Sequence, residues 1–397
     1  MSTLLFAGGG TGGHVYPLIA VADAVRALSP ELRLVFVGTE RGMETRVVPE
    51  RGYELELMGV LPIRGGGLGG ALRGIWRAAG SLPAGRALVS KYAPAALLSI
   101  GGYAAGPLSL AARFAGIPVA LIEPNSVIGL ANRLIAPFVQ RAYTAFAESE
   151  RHFTPNVVRR AGVPIRAGFD ARDYAPSSER PRVLVIGGSL GAKALNEAVP
   201  QAIARLSAAP VVVHQCGRAH EAAARALYAE LRLEAEVVPF IDDMPAALAS
   251  ADLVIGRAGA SAVSEICAVG RPSLLIPYPF AAGDHQQVNA RALQRAGAAV
   301  CVASADATAE RLCQELERLL PDAALRAQMA GAARALGRPM AARTIALDLL
   351  ALASLSSTVQ DGGRAAGAND SSHAARFTTL RSTRRGVVSD GVLAEGV

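Results

Sequence analysis

Short aliphatic runs, each ending near glycine and followed by apolar residues at helical spacing, recur along this chain and leave few folds open to it. Leu4-Leu5-Phe6-Ala7 runs into Gly8-Gly9-Gly10-Thr11-Gly12-Gly13, after which Leu18, Val21, Ala22, Val25 and Leu28 recur at helical intervals. Leu34–Gly38, Ala96–Ile100 and Pro118–Ile122 repeat the short apolar run. Continuous rather than alternating aliphatics suit parallel strands covered by helices on both faces, so this half predicts a doubly wound α/β unit. The pattern restarts at Arg182-Val183-Leu184-Val185-Ile186, which leads into Gly187-Gly188-Ser189-Leu190-Gly191-Ala192. Val211–His214, Glu236–Phe240, Leu253–Ile255 and Ser273–Pro277 are the further strand candidates.

A chain of 397 residues exceeds one compact core, so two similar α/β units are expected, with a cleft between their sheet ends. The reading divides the chain into a first domain at 1–163, a second at 164–338, a closing helix returning to the first domain at 339–355 and a disordered tail at 356–397. Val163–Asp173, with Pro164 and Gly168, forms the linker, while Ile345, Leu349 and Leu352 share one side of the closing helix. The tail assignment rests on its Ser, Thr, Gly and Arg content and its scarcity of bulky apolar groups.

Four separated cysteines (Cys216, Cys267, Cys301, Cys313) contain no CxxC pair and argue against a zinc site or a disulfide scaffold. The start of the chain lacks a basic segment and a long apolar run, so no signal peptide is expected. The uncharged stretch at 92–112 is interrupted by Pro94, Gly101, Gly102, Gly106 and Pro107, unlike a membrane helix of about 20 apolar residues. These features predict a soluble, cytoplasmic protein. The net charge of +7 is uneven: residues 1–163 hold 16 Arg and Lys against 10 Asp and Glu, an excess of six. Arg64, Arg73, Arg77, Arg86, Lys91 and Arg113 lie between Leu57 and Ile122 without one acidic residue. Such a region suits a polyanion, either nucleic acid or an anionic membrane, or is an ordinary solvated face.

Glycine turns opening helices allow backbone N–H groups to approach a phosphate, with the helix N-terminus adding partial positive charge. Gly8–Gly13 precedes His14 and a helix, but no acidic residue follows at the position that a nicotinamide dinucleotide site requires. Gly187–Ala192 repeats the turn in the other half. Either turn alone is compatible with a mere tight connection; two suggest phosphorylated ligands meeting in a cleft. The most specific segment is Arg257-Ala258-Gly259-Ala260-Ser261-Ala262-Val263-Ser264-Glu265, followed by Asp284-His285-Gln286-Gln287-Val288-Asn289-Ala290. Small residues opening a helix can cradle a diphosphate, Glu265 one turn inside can accept ribose hydroxyls, and Gln286 and Gln287 can read sugar hydroxyls.

Taken together, these segments resemble the GT-B glycosyltransferases, and within them the enzymes that add N-acetylglucosamine to undecaprenyl-diphospho-N-acetylmuramoyl-pentapeptide (lipid I) to form lipid II of peptidoglycan. The resemblance rests on Gly9–Pro17, Gly101–Pro107, Glu123-Pro124-Asn125, Gly129–Asn132, Pro164-Ile165-Arg166, Gly187–Ala192, Phe240–Met244, Arg257–Glu265 and Asp284–Gln286, in the family's order over about residues 4–350. Pro124, Val163 and Leu190 depart from its pattern.

The resemblance implies a GT-B fold of two Rossmann-like parallel-sheet domains facing across a cleft, and inverting transfer from UDP-N-acetylglucosamine to the muramoyl 4-hydroxyl of lipid I without metal or cofactor. Candidate catalytic residues are His14 as base, Glu265 and Arg166. Ile241 would meet uracil through its backbone, Glu265 the ribose, and Arg166, Ser189 and Ala260, Ser261, Ala262, Val263 and Ser264 the diphosphate. Asn125, Gln286 and Gln287 would address the sugar, with Thr11, Gly12 and Gly13 closing from the first domain. The acceptor diphosphate would lie against Gly10, His14, Gly101, Gly102 and Tyr103. His14 has two further readings, as a hydrogen-bond donor to that diphosphate or as a buttress of its loop.

The resemblance also implies peripheral association with the anionic cytoplasmic face of the inner membrane. Leu72, Arg73, Ile75, Trp76 and Arg77, with Leu68 near, form a candidate interfacial helix. The competing reading places Ile75 and Trp76 in the core. Partners among the cell-wall synthesis or division machinery follow from the same resemblance, whereas nucleic acid is not expected because no recognised binding motif is present. Another sugar-nucleotide glycosyltransferase, a UDP-sugar epimerase and a catalytically weak scaffold homologue are the alternatives.

Overall fold

The aliphatic runs form strands because both faces of each are covered. The computed structural model describes residues 2–40, 42–59, 80–102, 104–177, 180–188 and 190–365, the side chains of 355–365 excepted. Its first sheet contains β1 (Thr3–Gly8), β2 (Arg33–Gly38), β3 (Glu54–Leu57), β4 (Ala96–Gly101), β5 (Val119–Glu123), β6 (Arg141–Thr144) and β7 (Val158–Arg159). They lie in the order β3-β2-β1-β4-β5-β6-β7, all pairs parallel. Leu4 and Phe6 of β1 enter the core on one face, Leu5 and Ala7 that on the other. The second sheet contains β8 (Arg182–Ile186), β9 (Val211–Gln215), β10 (Ala235–Val238), β11 (Leu253–Gly256), β12 (Ser273–Leu275) and β13 (Ala299–Cys301). Its order is β10-β9-β8-β11-β12-β13, again wholly parallel.

The helices of the first half are α1 (Gly12–Leu28), α2 (Glu44–Glu50), α3 (Leu82–Tyr92), α4 (Ala105–Phe114), α5 (Leu130–Ile135) and α6 (Ala147–Glu150). Those of the second are α7 (Lys193–Ile203), α8 (Glu221–Glu230), α9 (Met244–Ser250), α10 (Ala260–Val269), α11 (His285–Arg295), α12 (Ala309–Leu319) and α13 (Ala323–Leu336), followed by α14 (Ala341–Ala365). Among the described residues no helix is long and apolar enough to cross a membrane.

In each sheet the chain leaves its first strand to one side and later crosses to the other, so β1 lies beside β4 and β8 beside β11. Ligands of open α/β sheets bind in the crevice at the carboxyl ends of such a pair. Gly8–Gly13 follows β1, Gly101–Gly102 follows β4, Gly187–Ala192 follows β8, and Arg257–Gly259 follows β11. All four glycine turns therefore sit at the binding crevice of their own sheet.

Ile165 and Phe169 of the expected linker pack in the second domain's core with Leu184 and Val254. At the far end, Ile345, Ala346, Leu349 and Leu352 join Leu4 and Phe6 in the first domain's core, and Asp348 accepts from Arg141 Nε at 3.0 Å and Tyr143 Oη at 2.9 Å. The closing helix runs Ala341–Ala365, ten residues past its expected end at 355. Backbone hydrogen bonding needs no bulky apolar groups, whose scarcity after Leu355 was the basis of the tail assignment; residues 366–397 lie outside the described residues. Strands β3, β6, β7 and β13 were not anticipated. They are two to four residues long, and β3 alternates Glu54 and Glu56 with leucines because those carboxylates pair with Arg33 and Lys91. All four cysteines are free; Cys216, Cys267 and Cys313 are buried and Cys301 is half-buried.

Leu349 is fully buried. Leu349→Ala should destabilise the first domain by about 2–5 kcal/mol. Chemical denaturation followed by a probe in that domain checks this, and an unchanged midpoint would mean that the closing helix contributes nothing to its stability.

Candidate active site

The loop after β1 is held from below by a carboxylate. Glu44, at the start of α2 and 1% exposed, accepts the Gly10 N–H at 2.8 Å with Oε2; its Oε1 accepts the Thr39 N–H at 2.9 Å and hydroxyl at 3.0 Å. A Cβ at Gly9 would fall 2.1 Å from Glu44 Oε1, and one at Gly42 would fall 1.9 Å from Oε2, so glycine at both makes room for the carboxylate. His14, in the first turn of α1, has Nδ1 at 3.2 Å from the Gly9 carbonyl. A carbonyl oxygen only accepts, so this bond places the proton on Nδ1 and leaves Nε2 as the basic nitrogen of the neutral ring. Burial lowers the His14 pKa, opposed by the bond to Gly9; of the charged groups bearing on it, His285 of the second domain lowers it and Glu44 raises it.

Gly101 and Gly102 adopt positive φ (98° and 97°), and a Cβ at Gly102 would lie 3.1 Å from the Gly9 carbonyl oxygen. The two candidate acceptor loops are thus in backbone contact, which only glycine permits here. Buried Asn132 ties the ends of β4 and β5 by donating through Nδ2 to the Ile100 and Ile122 carbonyls and to Glu123 Oε2 at 2.8 Å. Glu123 also accepts the backbone N–H groups of Asn125 and Gly129, and burial pushes its carboxyl up to about 7. It thereby shapes the Pro124–Gly129 loop that carries Asn125, whose side chain is half-buried.

In the second domain, a Cβ at Gly191 (φ 78°) would lie 1.9 Å from the Cys216 carbonyl oxygen. That carbonyl also accepts Asn196 Nδ2 at 2.9 Å, and Asn196 Oδ1 meets His214 Nε2 at 3.0 Å. His214 Nδ1 meets Tyr228 Oη at 3.0 Å, and burial lowers its pKa to about 4. A buried polar chain thus anchors the Gly187–Ala192 turn, and none of its members was singled out from the sequence. Helices α1, α7 and α10 begin at the glycine turns without a side-chain cap, leaving their first-turn N–H groups unclaimed by one. Ser261 Oγ, in the first turn of α10, is buried and has no hydrogen-bond partner among the described residues.

Glu265, on α10, faces Arg166 across 3.6 Å, and burial pushes its carboxyl up to about 7 against the pull of that guanidinium. The Arg166 guanidinium lies 5.5 Å from the ring centres of Tyr16 and Phe169, so this linker residue spans from α1 to the ribose candidate on α10. The domains also meet where Asn289 Oδ1 accepts the Ser126 hydroxyl at 2.7 Å and backbone N–H at 3.2 Å, while its Nδ2 donates to the Ala258 carbonyl. Gln286 Oε1 accepts the Tyr278 N–H at 2.9 Å, and a Cβ at Gly259 would lie 3.9 Å from its Nε2; Gln287 is directed at Cys301 Sγ instead. Ile241 lies half-buried after β10, just before Asp243, which caps α9.

The structure therefore brings together Gly10, Gly12, Gly13, His14, Gly101 and Gly102 on the first domain, and Ala260–Ser264, Glu265 and Arg166 at the opposing crevice. Thr11 is exposed at the start of α1. Tyr103, Ser189 and the interfacial candidates Leu72, Arg73, Ile75, Trp76 and Arg77 lie outside the described residues. Of the departures from the family pattern, Pro124 and Val163 are buried, while the Leu190 side chain is 83% exposed and only its backbone packs, against Gly217. Glu44 was missed because no motif marks a lone glutamate; Asn132 and Asn289 lay inside quoted motifs without a role.

Two Rossmann-like parallel-sheet domains, each with its switch-point crevice at the carboxyl ends of its strands, are the architecture of GT-B glycosyltransferases. The chain belongs to glycosyltransferase family 28: residues 4–144 match the family's N-terminal domain and residues 182–345 its C-terminal domain. It is 59% identical over 360 residues, 89% of each chain, to a UDP-N-acetylglucosamine--N-acetylmuramyl-(pentapeptide) pyrophosphoryl-undecaprenol N-acetylglucosamine transferase of Sorangium cellulosum. A protein of the same name from Anaeromyxobacter sp. is 42% identical over 86% of this chain and 91% of its own. The crystal structure of Acinetobacter baumannii MurG superposes with a TM-score of 0.75 at 30% identity, over 88% of this chain and 99% of that one.

Because the folded-state pKa of Glu265 is raised from 4.5 to about 7, the folded protein binds this proton more tightly than the unfolded chain. Its contribution to stability is full below pH 4.5 and is lost as pH rises through about 7. Glu265→Gln should raise the melting temperature relative to wild type at pH 8 and not at pH 4. A difference that is the same at both pH values would count against the raised carboxyl.

Proposed function

We propose that this chain transfers N-acetylglucosamine from UDP-N-acetylglucosamine to the 4-hydroxyl of the muramoyl sugar of lipid I, with inversion, forming lipid II for peptidoglycan. The reading is carried by the 59% identity, over nine-tenths of both chains, to a relative named for that transfer. In it, the first domain (1–163) receives the acceptor and the second (164–338) holds the donor. Transfer of labelled sugar from UDP-N-acetylglucosamine to a lipid I analogue, run with chelator present, tests it; no transfer would sink it.

Donor binding falls to the second domain. Ile241 meets uracil through its backbone, Glu265 accepts the ribose hydroxyls, and the diphosphate lies over the start of α10 at Ala260–Ser264 with Ser189 opposite. The orphan Ser261 hydroxyl suits a ligand oxygen there. Arg166 supplies the fixed positive charge that leaving UDP requires as its bond to the sugar breaks. Asn125 and Gln286 address the sugar, with Gln287 turning from Cys301 to join them. Thr11, Gly12 and Gly13 close over it from the first domain. The acceptor diphosphate rests on the paired loops at Gly10–His14 and Gly101–Tyr103.

His14 takes the proton from the attacking 4-hydroxyl. The support is its lone pair at Nε2 and the burial that keeps the ring neutral near pH 7. His14→Ala should lower turnover at least about a hundredfold with little change in donor KM. Wild-type turnover in that variant would remove the base assignment.

A lipid-borne acceptor requires approach to the membrane, which this reading places at the cytoplasmic face of the inner membrane. Leu130, Leu134 and Phe138, four residues apart, are 48, 47 and 42% exposed, and Phe114 at the end of neighbouring α4 is 65% exposed. Arg113 and Arg133 are exposed beside them. Apolar side chains flanked by arginines suit insertion among anionic headgroups. Recruitment to cell-wall synthesis or division machinery belongs to the same proposal. The double variant Leu134→Glu, Phe138→Glu should float less with acidic liposomes than wild type, and equal flotation would dispose of this surface.

A further inference from the structure

We propose that Glu44 is a positioning residue for His14, acting through the single peptide group that joins Gly9 to Gly10. The carboxylate and the imidazole do not touch. The Gly10 N–H donates to Glu44 Oε2 at 2.8 Å, and the carbonyl of the same peptide unit, that of Gly9, accepts from His14 Nδ1 at 3.2 Å. Carboxylate, amide and imidazole therefore form one hydrogen-bonded chain that runs from the buried Glu44 out to the half-buried His14 ring. A negative charge on the N–H side of an amide draws electron density toward its oxygen, making the carbonyl a stronger acceptor, and low local dielectric reinforces the effect.

Two consequences follow for the reaction. The chain holds the proton on Nδ1, so that Nε2 faces outward as the base. It also stabilises the positive charge that appears on the ring when Nε2 takes the hydroxyl proton, a proton that ends on Nε2 while Nδ1 keeps its own. The charged groups bearing on the ring are Glu44 and, from the second domain, His285, which opposes it. The surrounding sequence is spent on accommodating the carboxylate: a Cβ at Gly9, Gly38 or Gly42 would fall within 2.4 Å of a Glu44 atom. The second oxygen is occupied by Thr39, so the carboxylate is fixed on both sides.

The inference rests on the proposed base role for its use in catalysis, but not for its test. The ring resonances of His14, assigned with His14→Gln, are titrated by NMR in the full chain, wild type and Glu44→Gln. In the variant the His14 titration should move to lower pH by about half a pH unit or more. The acid limb of the kcat profile should follow it, with donor KM unchanged and turnover at pH 7 down about tenfold. Donor-induced thermal stabilisation equal to wild type certifies the variant's fold; should Glu44→Gln fail to fold, Glu44→Asp, which keeps the charge, must restore the fold and the wild-type titration. An unmoved His14 titration in folded Glu44→Gln, or a shifted one in Glu44→Asp, overturns the relay. A moved titration alongside full activity in His14→Ala upholds it and removes the base assignment instead.

Discussion

Close approach of backbone to backbone at the carboxyl ends of the two sheets is the constraint on which the rest depends. Gly102 abuts the Gly9 carbonyl, and Gly191 abuts the Cys216 carbonyl at a distance that no Cβ could tolerate. These contacts draw the turns into the crevices beside β1 and β8, where helices α1 and α7 begin without a side-chain cap. A crevice lined by backbone N–H groups and helix starts suits an anion before any charged side chain is considered. The side chains refine that site rather than create it.

Each turn is then fixed from beneath by a buried polar group matched to its surroundings. Glu44 holds the loop after β1, Glu123 and Asn132 hold the ends of β4 and β5, and Asn196 with His214 holds the loop after β8. Buried polar groups cost stability unless they are satisfied. Glu44 and Glu123 are satisfied mainly by backbone N–H groups of these loops, whereas Asn132 Oδ1 is buried without a hydrogen-bond partner among the described residues. Loss of the loop geometry would leave the same groups unpaired in the interior, so site and core stand or fall together.

The cleft brings this logic to the reaction. Arg166 reaches from the linker toward Glu265 while lying near Tyr16 of the opposite domain, and Asn289 joins Ser126 to the start of the donor turn at Ala258. Residues adjoining the proposed donor site thus supply part of the link between the halves, beside the Arg295–Glu148 ion pair at 2.7 Å and the closing helix packed in the first domain's core.

Much of this was legible in the chain itself. Continuous aliphatic runs ending in glycine determined two parallel-sheet domains, because a strand buried on both faces has no room for polar alternation. The glycine turns and the Arg257–Glu265 segment were legible as strand-to-helix turns, and the structure sets them at the carboxyl ends of their strands, since local backbone geometry is written in local sequence. Short edge strands such as β3 and β13 escaped because an exposed edge relaxes the aliphatic requirement. Tertiary structure alone decided the partners: Glu44 meets Gly10 across 34 positions and Asn289 meets Ser126 across 163. A lone glutamate or asparagine carries no periodicity, and its role is set by which distant backbone group the fold delivers to it.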